Sequence, residues 1–246
     1  MGSNGIIDEY SFWSSRLHRW SRYYSKRRRQ MALGDLSAAY ESNGNPGCVS
    51  TGYGDLGGIS YGAYQLASNV GSVDVFLEWG ISYGGYYTDY ANSLNQYDIN
   101  SDAFINQWKY LASADSEGFL RMQHDFIKSE YYDRACRYLA NEGFHADNHS
   151  NALKDVIWSR AVQYGPGNVV DLFNEALRYV PGYTEEWNLS WVDALRFDYD
   201  LIVGVYESNK SDEWISPRLG YDVRQGVYDR MDNEKQEALA MFMEEI

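Results

Sequence analysis

The sequence predicts a mainly α-helical fold with one small β-hairpin beside a cleft. Apolar residues recur at helical spacing along most of the chain after Gly62. A glycine-rich stretch at 43–62 interrupts that spacing and contains short β-prone segments. With 246 residues, of which 44% are hydrophobic, the chain is long enough for one large domain with a buried core.

The net charge of −14 is unevenly distributed along the chain. Residues 1–30 contain seven Lys and Arg against two acids, a net charge of +5, which leaves −19 for the remainder. An acidic body of this kind argues against nucleic acid as a partner, because that binding depends on neutralising phosphates. The acidic body would instead attract a polycation.

Residues 1–32 form a basic arm whose apolar positions, among them Trp13, Leu17 and Trp20, recur at helical spacing. We expect an amphipathic helix that docks on the acidic body, and a tether to a virion or another assembly partner is the alternative. The arm lacks the apolar run of a signal peptide, and no segment reaches the ~18 apolar residues of a transmembrane helix. We therefore expect delivery by a phage or by another export route.

The predicted elements follow the arm in order. A helix over 31–41 carries a first carboxylate near its end, and the β-prone residues 48–53 indicate the hairpin. The next helix is predicted to open at Gly62 and to carry Gln65. Periodicity predicts further helices at 73–81, 102–111 with Asp102 as a cap, 116–139, 153–162 as a buried central helix, 169–179, 184–208 and 222–244.

Two acids from different elements suggest glycosidic chemistry. Glu41 lies at the end of the predicted helix, and Asp55 lies in the glycine-rich run. Cleavage needs an acid that protonates the leaving oxygen and a carboxylate that directs water or stabilises the transition state. Apolar neighbours such as Tyr40 would raise the pKa of the acid, whereas a solvated turn suits the base. A surface Glu and a turn Asp with no shared function are the plain alternative.

A motif around these acids resembles the lysozyme-like superfamily, which includes lytic transglycosylases, goose-type lysozymes and phage lysins. The similar residues are Tyr40-Glu41-Ser42 and Ser60-Tyr61-Gly62-Ala63-Tyr64-Gln65. The run 54–62 is also similar to the aspartate-bearing hairpin of the chitosanase branch. The resemblance implies a lysozyme-like α+β fold over 33–183, with 184–246 as a C-terminal helical extension packed on it.

The resemblance also implies roles for individual residues. Glu41 would be the general acid and Asp55 the general base, and the residues lining the cleft would be Ser60, Tyr61, Tyr64 and Gln65. Tyr64 stands where the transglycosylase pattern has Met, and those enzymes need no catalytic aspartate. The presence of Asp55 therefore favours inverting hydrolysis, although the transglycosylase route stays open.

Gln163 and Tyr164 are a second pair of candidate substrate contacts. They stand at the end of the predicted central helix, before Gly165-Pro166-Gly167. Polar side chains at that position would face a cleft and hold a sugar. Alternatively, Gly165 simply ends the helix. Neither a metal site nor a cofactor is predicted.

The sequence as a whole predicts a muramidase-type peptidoglycan glycosidase that acts at the bacterial cell wall, in the setting of a phage or exported lysin. Its expected partner is the cell-wall glycan. A chitosanase of the same fold is one alternative, and its polycationic substrate would suit the acidic body. The other alternative is a catalytically inert glycan-binding or structural assembly component.

Overall fold

The computed structural model describes residues 33–34, 44–50 and 58–246. The predicted fold class is confirmed there, because the described chain is mainly helical with one small antiparallel hairpin. The basic arm 1–32 and both candidate acids, Glu41 and Asp55, lie outside the described residues. Of the helix predicted at 31–41, only Leu33 and Gly34 are described; they form a turn, and Gly34 has φ 88°, so the prediction is wrong at these two residues. The chain divides into two compact units: a hairpin unit, Ser37–Glu130, and a helical unit, Met1–Leu36 with Tyr131–Ile246.

The hairpin unit contains two short strands and four helices. Strand β1 (Ser60–Tyr61) pairs antiparallel with β2 (Leu66–Ala67). The helices are α1 (Ser72–Tyr83), α2 (Tyr86–Leu94), α3 (Asp102–Ala114) and α4 (Ser116–Ile127). Helix α1 packs against α2 and α4, and α3 packs against α4. Their shared core is aromatic, and its fully buried rings belong to Tyr61, Phe76, Phe104, Trp108 and Phe119.

Side-chain caps fix where α3 and α4 begin. The Ser101 hydroxyl accepts a hydrogen bond from the Phe104 backbone N–H at 3.1 Å, and Asp115 accepts one from Gly118 at 2.9 Å. Such caps satisfy backbone donors that the first helical turn leaves without partners. Asp102, which the sequence predicted as the cap, is instead the first helical residue.

The prediction that Gln65 lies on a helix opening at Gly62 is wrong. Gln65 occupies the turn between β1 and β2, and the first helix after it begins only at Ser72. Gly62 has φ 80° and Gln65 has φ 50°, values that a right-handed helix does not permit. The apolar and small residues from Ser60 to Ala67 therefore form strand and turn.

The helical unit is built around α6 (Asn151–Tyr164). The predicted central helix is confirmed, because Val156, Ile157, Trp158 and Ala161 are fully buried. Its other helices are α5 (Asp133–Asn141), α7 (Asn168–Ala176), α8 (Asp198–Ser208) and α9 (Tyr221–Glu245). Helix α6 packs against α9. Residues 184–246 thus share a unit with 131–183, and the predicted boundary at 183 stays a prediction.

A buried ionic cluster joins α6 to α9. The Glu234 carboxylate lies between the guanidinium groups of Arg160 and Arg230, and the Arg230 Nε–Glu234 Oε1 distance is 2.5 Å. Arg160 also donates to Asn209 Oδ1 on the turn after α8, at 2.9 Å. Arg160 and Glu234 are fully buried, so their charges depend on each other for compensation.

The helix predicted at 116–139 is present but interrupted. A π-helical segment, Lys128–Tyr132, separates α4 from α5. Periodicity alone does not reveal such an inserted turn, because the apolar spacing continues on both sides of it.

The helix predicted at 184–208 forms only from Asp198 onward. Before it lie short 3₁₀ segments, Leu189–Val192 and Leu195–Phe197. Polar side chains hold this region in loop form: Asn188 accepts from the Ser190 N–H, and the Asp193 carboxylate accepts from the His145 N–H at 2.7 Å. Local side-chain bonds of this kind compete with helix.

Two further observations concern the cysteines and the membrane. Cys48 and Cys136 are not joined by a disulfide. Among the helices in the part of the chain that the structure describes, none is long and apolar enough to cross a membrane.

Candidate functional site

The candidate site is centred on the hairpin and on the segment that precedes it. Val49 forms an antiparallel bridge with Tyr61, so residues 48–50 lie beside β1. The Gly62 N–H donates to Cys48 O at 2.7 Å, and the Ser50 N–H donates to Ser60 O at 2.9 Å. The Ser60 N–H donates in turn to the Ser50 hydroxyl at 2.8 Å. Ser50 and Ser60 therefore hold each other through hydrogen bonds in both directions.

Tyr61 supports the hairpin from the protein interior. Its side chain is 0% exposed and lies 5.3 Å from the Phe104 ring and 5.1 Å from the Trp108 ring, centroid to centroid. Its hydroxyl donates to Asn100 Oδ1 at 3.1 Å, and burial raises the pKa of Tyr61 to about 12. This packing offers no ring face to a ligand. The role of Tyr61 is therefore to position β1.

The turn from Gly62 to Gln65 concentrates backbone strain at the predicted site. Gln65 has a left-handed conformation, which is uncommon for a residue other than glycine. Its Nε2 donates to Gly62 O at 2.8 Å, which fixes the side chain across the turn. Its Oε1 is buried and has no hydrogen-bond partner among the described residues. Buried polar atoms are normally satisfied, so this acceptor suits a donor from a ligand.

Gln123 on α4 holds the hairpin turn in place, and the sequence analysis did not assign it a role. Its Oε1 accepts from the Ala63 N–H at 2.8 Å, while its Nε2 donates to Pro46 O at 3.1 Å. Trp108 Nε1 donates to the same Pro46 oxygen at 2.8 Å. The side chain is only 1% exposed. The available signal was a glutamine on the apolar stripe of a helix, a position where a buried amide needs specific partners.

The close contact with Gln123 also explains the glycine at position 62. A Cβ at Gly62 would lie 2.4 Å from Gln123 Oε1, and the residue has φ 80°. Because of this short distance and the positive φ, a larger residue could not replace Gly62 unless the surrounding atoms moved. The two remaining site residues of the hairpin, Ser60 and Tyr64, are also nearly buried. The Tyr64 ring lies 6.4 Å from that of His124.

Gln163 and Tyr164 lie in the helical unit, at the end of α6. Gly165 follows with φ 85°, and its N–H donates to Ala161 O, so the alternative interpretation of Gly165 as the helix end is confirmed. The Tyr164 ring packs at 5.0 Å, edge to face, against Trp214. Gln163 Oε1 is buried and lacks a hydrogen-bond partner within the described part of the chain. Its predicted contact with a sugar stays a prediction.

The structure therefore brings together one part of the predicted site. Ser60, Tyr61, Tyr64 and Gln65 share the hairpin, whereas Gln163 and Tyr164 belong to the other unit. His145 and His149, in the helical unit, contact aspartates: His145 Nδ1 lies 2.9 Å from Asp193 Oδ2, and His149 Nδ1 lies 2.6 Å from Asp198 Oδ1. That arrangement is a hydrogen-bond network tying loop to helix.

The described residues form a mainly α-helical fold with one small antiparallel hairpin. This chain belongs to the family described as type VI secretion system spike protein VgrG3-like, C-terminal, whose model matches residues 33–235. A similar protein is the type VI secretion system spike protein VgrG3 of Vibrio cholerae serotype O1, 36% identical over 143 residues. The aligned region is 58% of this chain but only 13% of that relative.

The family corrects the identification made from the sequence. Assignment to the phage-lysin type of the lysozyme-like superfamily is wrong, because the matched family is that of a type VI secretion spike. Phage delivery and a virion partner for the basic arm have no support for the same reason. An export route other than a phage, which the sequence analysis also allowed, agrees with the family description.

Proposed function

We propose that this chain serves as a C-terminal module of a type VI secretion spike and travels with that assembly. The family match over 33–235 carries this proposal, and the identity to the Vibrio cholerae spike protein supports it. The structural role corresponds to the assembly component that the sequence analysis held as an alternative.

Export by the secretion system tests this role directly. The protein should be found in the medium of a bacterium with an intact type VI system and be missing from that of an isogenic strain lacking the system. A cytoplasmic marker protein, followed in both media, controls for lysis. Equal amounts in both media would contradict the proposal.

A second candidate function, favoured by the hairpin, is hydrolysis of a cell-wall β-1,4 glycan. The unpaired Oε1 of Gln65 in a strained turn is the specific observation that supports it, since sugar hydroxyl and amide groups supply hydrogen-bond donors. The hydrogen bonds between Ser50 and Ser60, which flank Asp55 in the sequence, hold together the described residues on either side of it. An exported module with this activity would act outside the cytoplasm of a target cell.

In the proposed hydrolysis, each of the two acids carries out a separate proton transfer. Glu41 protonates the glycosidic oxygen as the bond to the leaving sugar breaks, and Asp55 removes a proton from the water that attacks the anomeric carbon from the opposite face. The product is inverted at that carbon. Gln65 binds the sugar next to the bond, and Gln123 holds the turn that carries Gln65.

Replacing each acid in turn distinguishes an enzymatic role from that of a catalytically inert component. Glu41→Gln should lower release of reducing ends from purified peptidoglycan by about a hundred- to ten-thousand-fold, as expected for loss of a general acid. Glu117→Gln, at an exposed surface pair, is the matched control and should keep full activity. Wild-type rates in the Glu41 variant would exclude its role as acid.

Asp55→Asn tests the base. Full activity in this variant, or anhydro-sugar products from the wild type, would indicate a transglycosylase route without a base. Release of reducing ends from chitosan but not from peptidoglycan would favour the chitosanase alternative, whose polycationic substrate suits an acidic body.

A further inference from the structure

Three aromatic rings at the junction of α1 and α2 form a surface that neither candidate function uses. The Tyr83 ring lies 4.9 Å from that of Trp79 and 4.9 Å from that of Tyr87, with interplanar angles of 38° and 39°. Trp79 and Tyr87 are themselves 5.7 Å apart at 30°. We call these three residues the aromatic platform. Tyr83 is 61% exposed, so it presents an open ring to solvent while resting on the other two.

The two supporting rings are fixed by hydrogen bonds. Trp79 Nε1 donates to Ser129 Oγ at 2.9 Å, and the Tyr87 hydroxyl donates to Asp125 Oδ2 at 2.6 Å. The Trp79 ring also meets the buried Phe126 ring edge to face at 5.6 Å. A ligand that stacked on Tyr83 would therefore meet a surface whose supporting rings are already ordered, which reduces the entropy cost of binding.

The charged residues around the aromatic platform favour some classes of ligand over others. Helices α1 and α2, over 72–94, carry the exposed acids Asp74, Glu78 and Asp89 and contain no Lys or Arg. Arg121 on α4 is a cation whose charge acts on Tyr87, and it is paired with Glu117 at 2.8 Å. Phosphate-rich partners such as anionic lipids or nucleic acid would be repelled by this surface. A neutral or cationic partner with an apolar face is the type of ligand that this surface accommodates.

The approach to the platform is open and lies apart from the hairpin. Added Cβ atoms at Gly84 and Gly85, in the turn between the two helices, would meet nothing within 4 Å. Helix α1 leads away from β2, and its length from Ser72 to Tyr83 is about 17 Å at 1.5 Å per residue. The platform is thus at the other end of α1 from the hairpin site.

We propose that the aromatic platform is a second binding site for a β-1,4-linked amino-sugar glycan, with the apolar face of one sugar ring stacked on Tyr83. The proposal rests on the glycan-directed function proposed above. Amino-sugar chains are neutral when N-acetylated and cationic when not, which matches the acidic surroundings. Amphipathic aromatic residues provide the apolar contact, and nearby carboxylates accept hydrogen bonds from sugar hydroxyl groups.

Binding to insoluble peptidoglycan sacculi tests the platform. Sedimentation is measured for the whole chain carrying Glu41→Gln, so that digestion of the wall does not interfere. Adding Tyr83→Ala should raise the apparent Kd roughly tenfold, as loss of an exposed aromatic anchor does at other interfaces. Tyr83→Phe keeps the ring and should bind as the parent does.

Tyr110→Ala is the matched control. Tyr110 lies in the same unit, on α3, with the same 61% exposure, and it stacks on no other ring within the described residues. It should bind sacculi as tightly as the parent. Equal binding by the Tyr83→Ala and Tyr110→Ala variants would overturn the proposal.

Other outcomes also decide the question. Absence of any sacculus binding by the parent would overturn the platform, as would Tyr83-dependent binding to phosphatidylglycerol vesicles, which would assign the surface to membranes. The proposed hydrolysis is judged separately, by reducing-end release with Glu41 intact. Normal release together with unchanged binding in the Tyr83 variant would therefore remove the platform and leave the hydrolase standing.

Discussion

Replacement of Gln123 by Leu is the most direct test of how the hairpin is held. The change keeps most of the side-chain volume but removes the acceptor for the Ala63 N–H and the donor to Pro46 O. Ala63 is fully buried, so the loss of this bond from its N–H inside the protein costs about 1–3 kcal/mol. Pro46 O keeps its bond from Trp108 Nε1, so this second loss adds little.

We expect a net destabilisation of about 2 kcal/mol, since the apolar replacement recovers part of the loss. For a chain of this size, that corresponds to a Tm lower by roughly 4–8 °C. Urea unfolding followed by circular dichroism gives the free energy. Hydrogen exchange measured over 60–67 gives the local effect, because the Ala63 amide should lose its protection.

A partly exposed glutamine provides the matched control for the Gln123→Leu variant. Gln107 on α3 is partly exposed, and its amide makes a single 3.2 Å bond to the Ser93 hydroxyl. Gln107→Leu should change the free energy of unfolding by less than about 0.5 kcal/mol. Unchanged stability and unchanged exchange in the Gln123 variant would refute the assigned role and leave the turn supported by its own backbone bonds.

Two further predictions concern the helical unit. Glu234→Gln should lower the free energy of unfolding by about 3–5 kcal/mol, because two buried arginines lose their shared counter-charge, whereas the exposed Glu117→Gln should have almost no effect in the same denaturation experiment. Burial alone would raise the pKa of Glu207, but bonds from two lysines lower it overall, and the same lysines lower the pKa of Asp232. Because both folded pKa values lie below the ordinary 4.5 and 3.8, these groups add stability above those values and lose it as the pH falls further. Thermal unfolding between pH 6 and pH 3 should therefore show a smaller acid-induced loss in a Glu207→Gln variant, and an identical loss would contradict this linkage.

Most helices were predictable because helical periodicity is a local property. The buried run at Val156-Ile157-Trp158 indicated the central helix without any knowledge of what covers it. The region before Asp198 was not predictable in the same way. Its loop depends on bonds to the carboxylate of Asp193 from residues more than forty positions earlier in the chain.

The candidate site was likewise only partly predictable from the sequence. The motif from Ser60 to Gln65 was predicted to be part of the site, which stays a prediction, but its residues were assigned to a helix and form a hairpin. The sequence could not assign Tyr61 to the core, because its ring packs against Phe104 and Trp108 from α3. It did not show that Gln65 lies in a turn, because that turn is held by Gln123 from α4. The acids Glu41 and Asp55 remain predictions that the variants above will decide.

The sequence by itself determined the mainly helical class and the central helix, since both follow from neighbouring residues. Tertiary structure decided the bracing of the turn by Gln123, the buried pairing of Glu234 and the stacking of Tyr83 on two anchored rings. Each of these brings together side chains from different elements. Their energies arise from burial and geometry that a linear pattern does not contain.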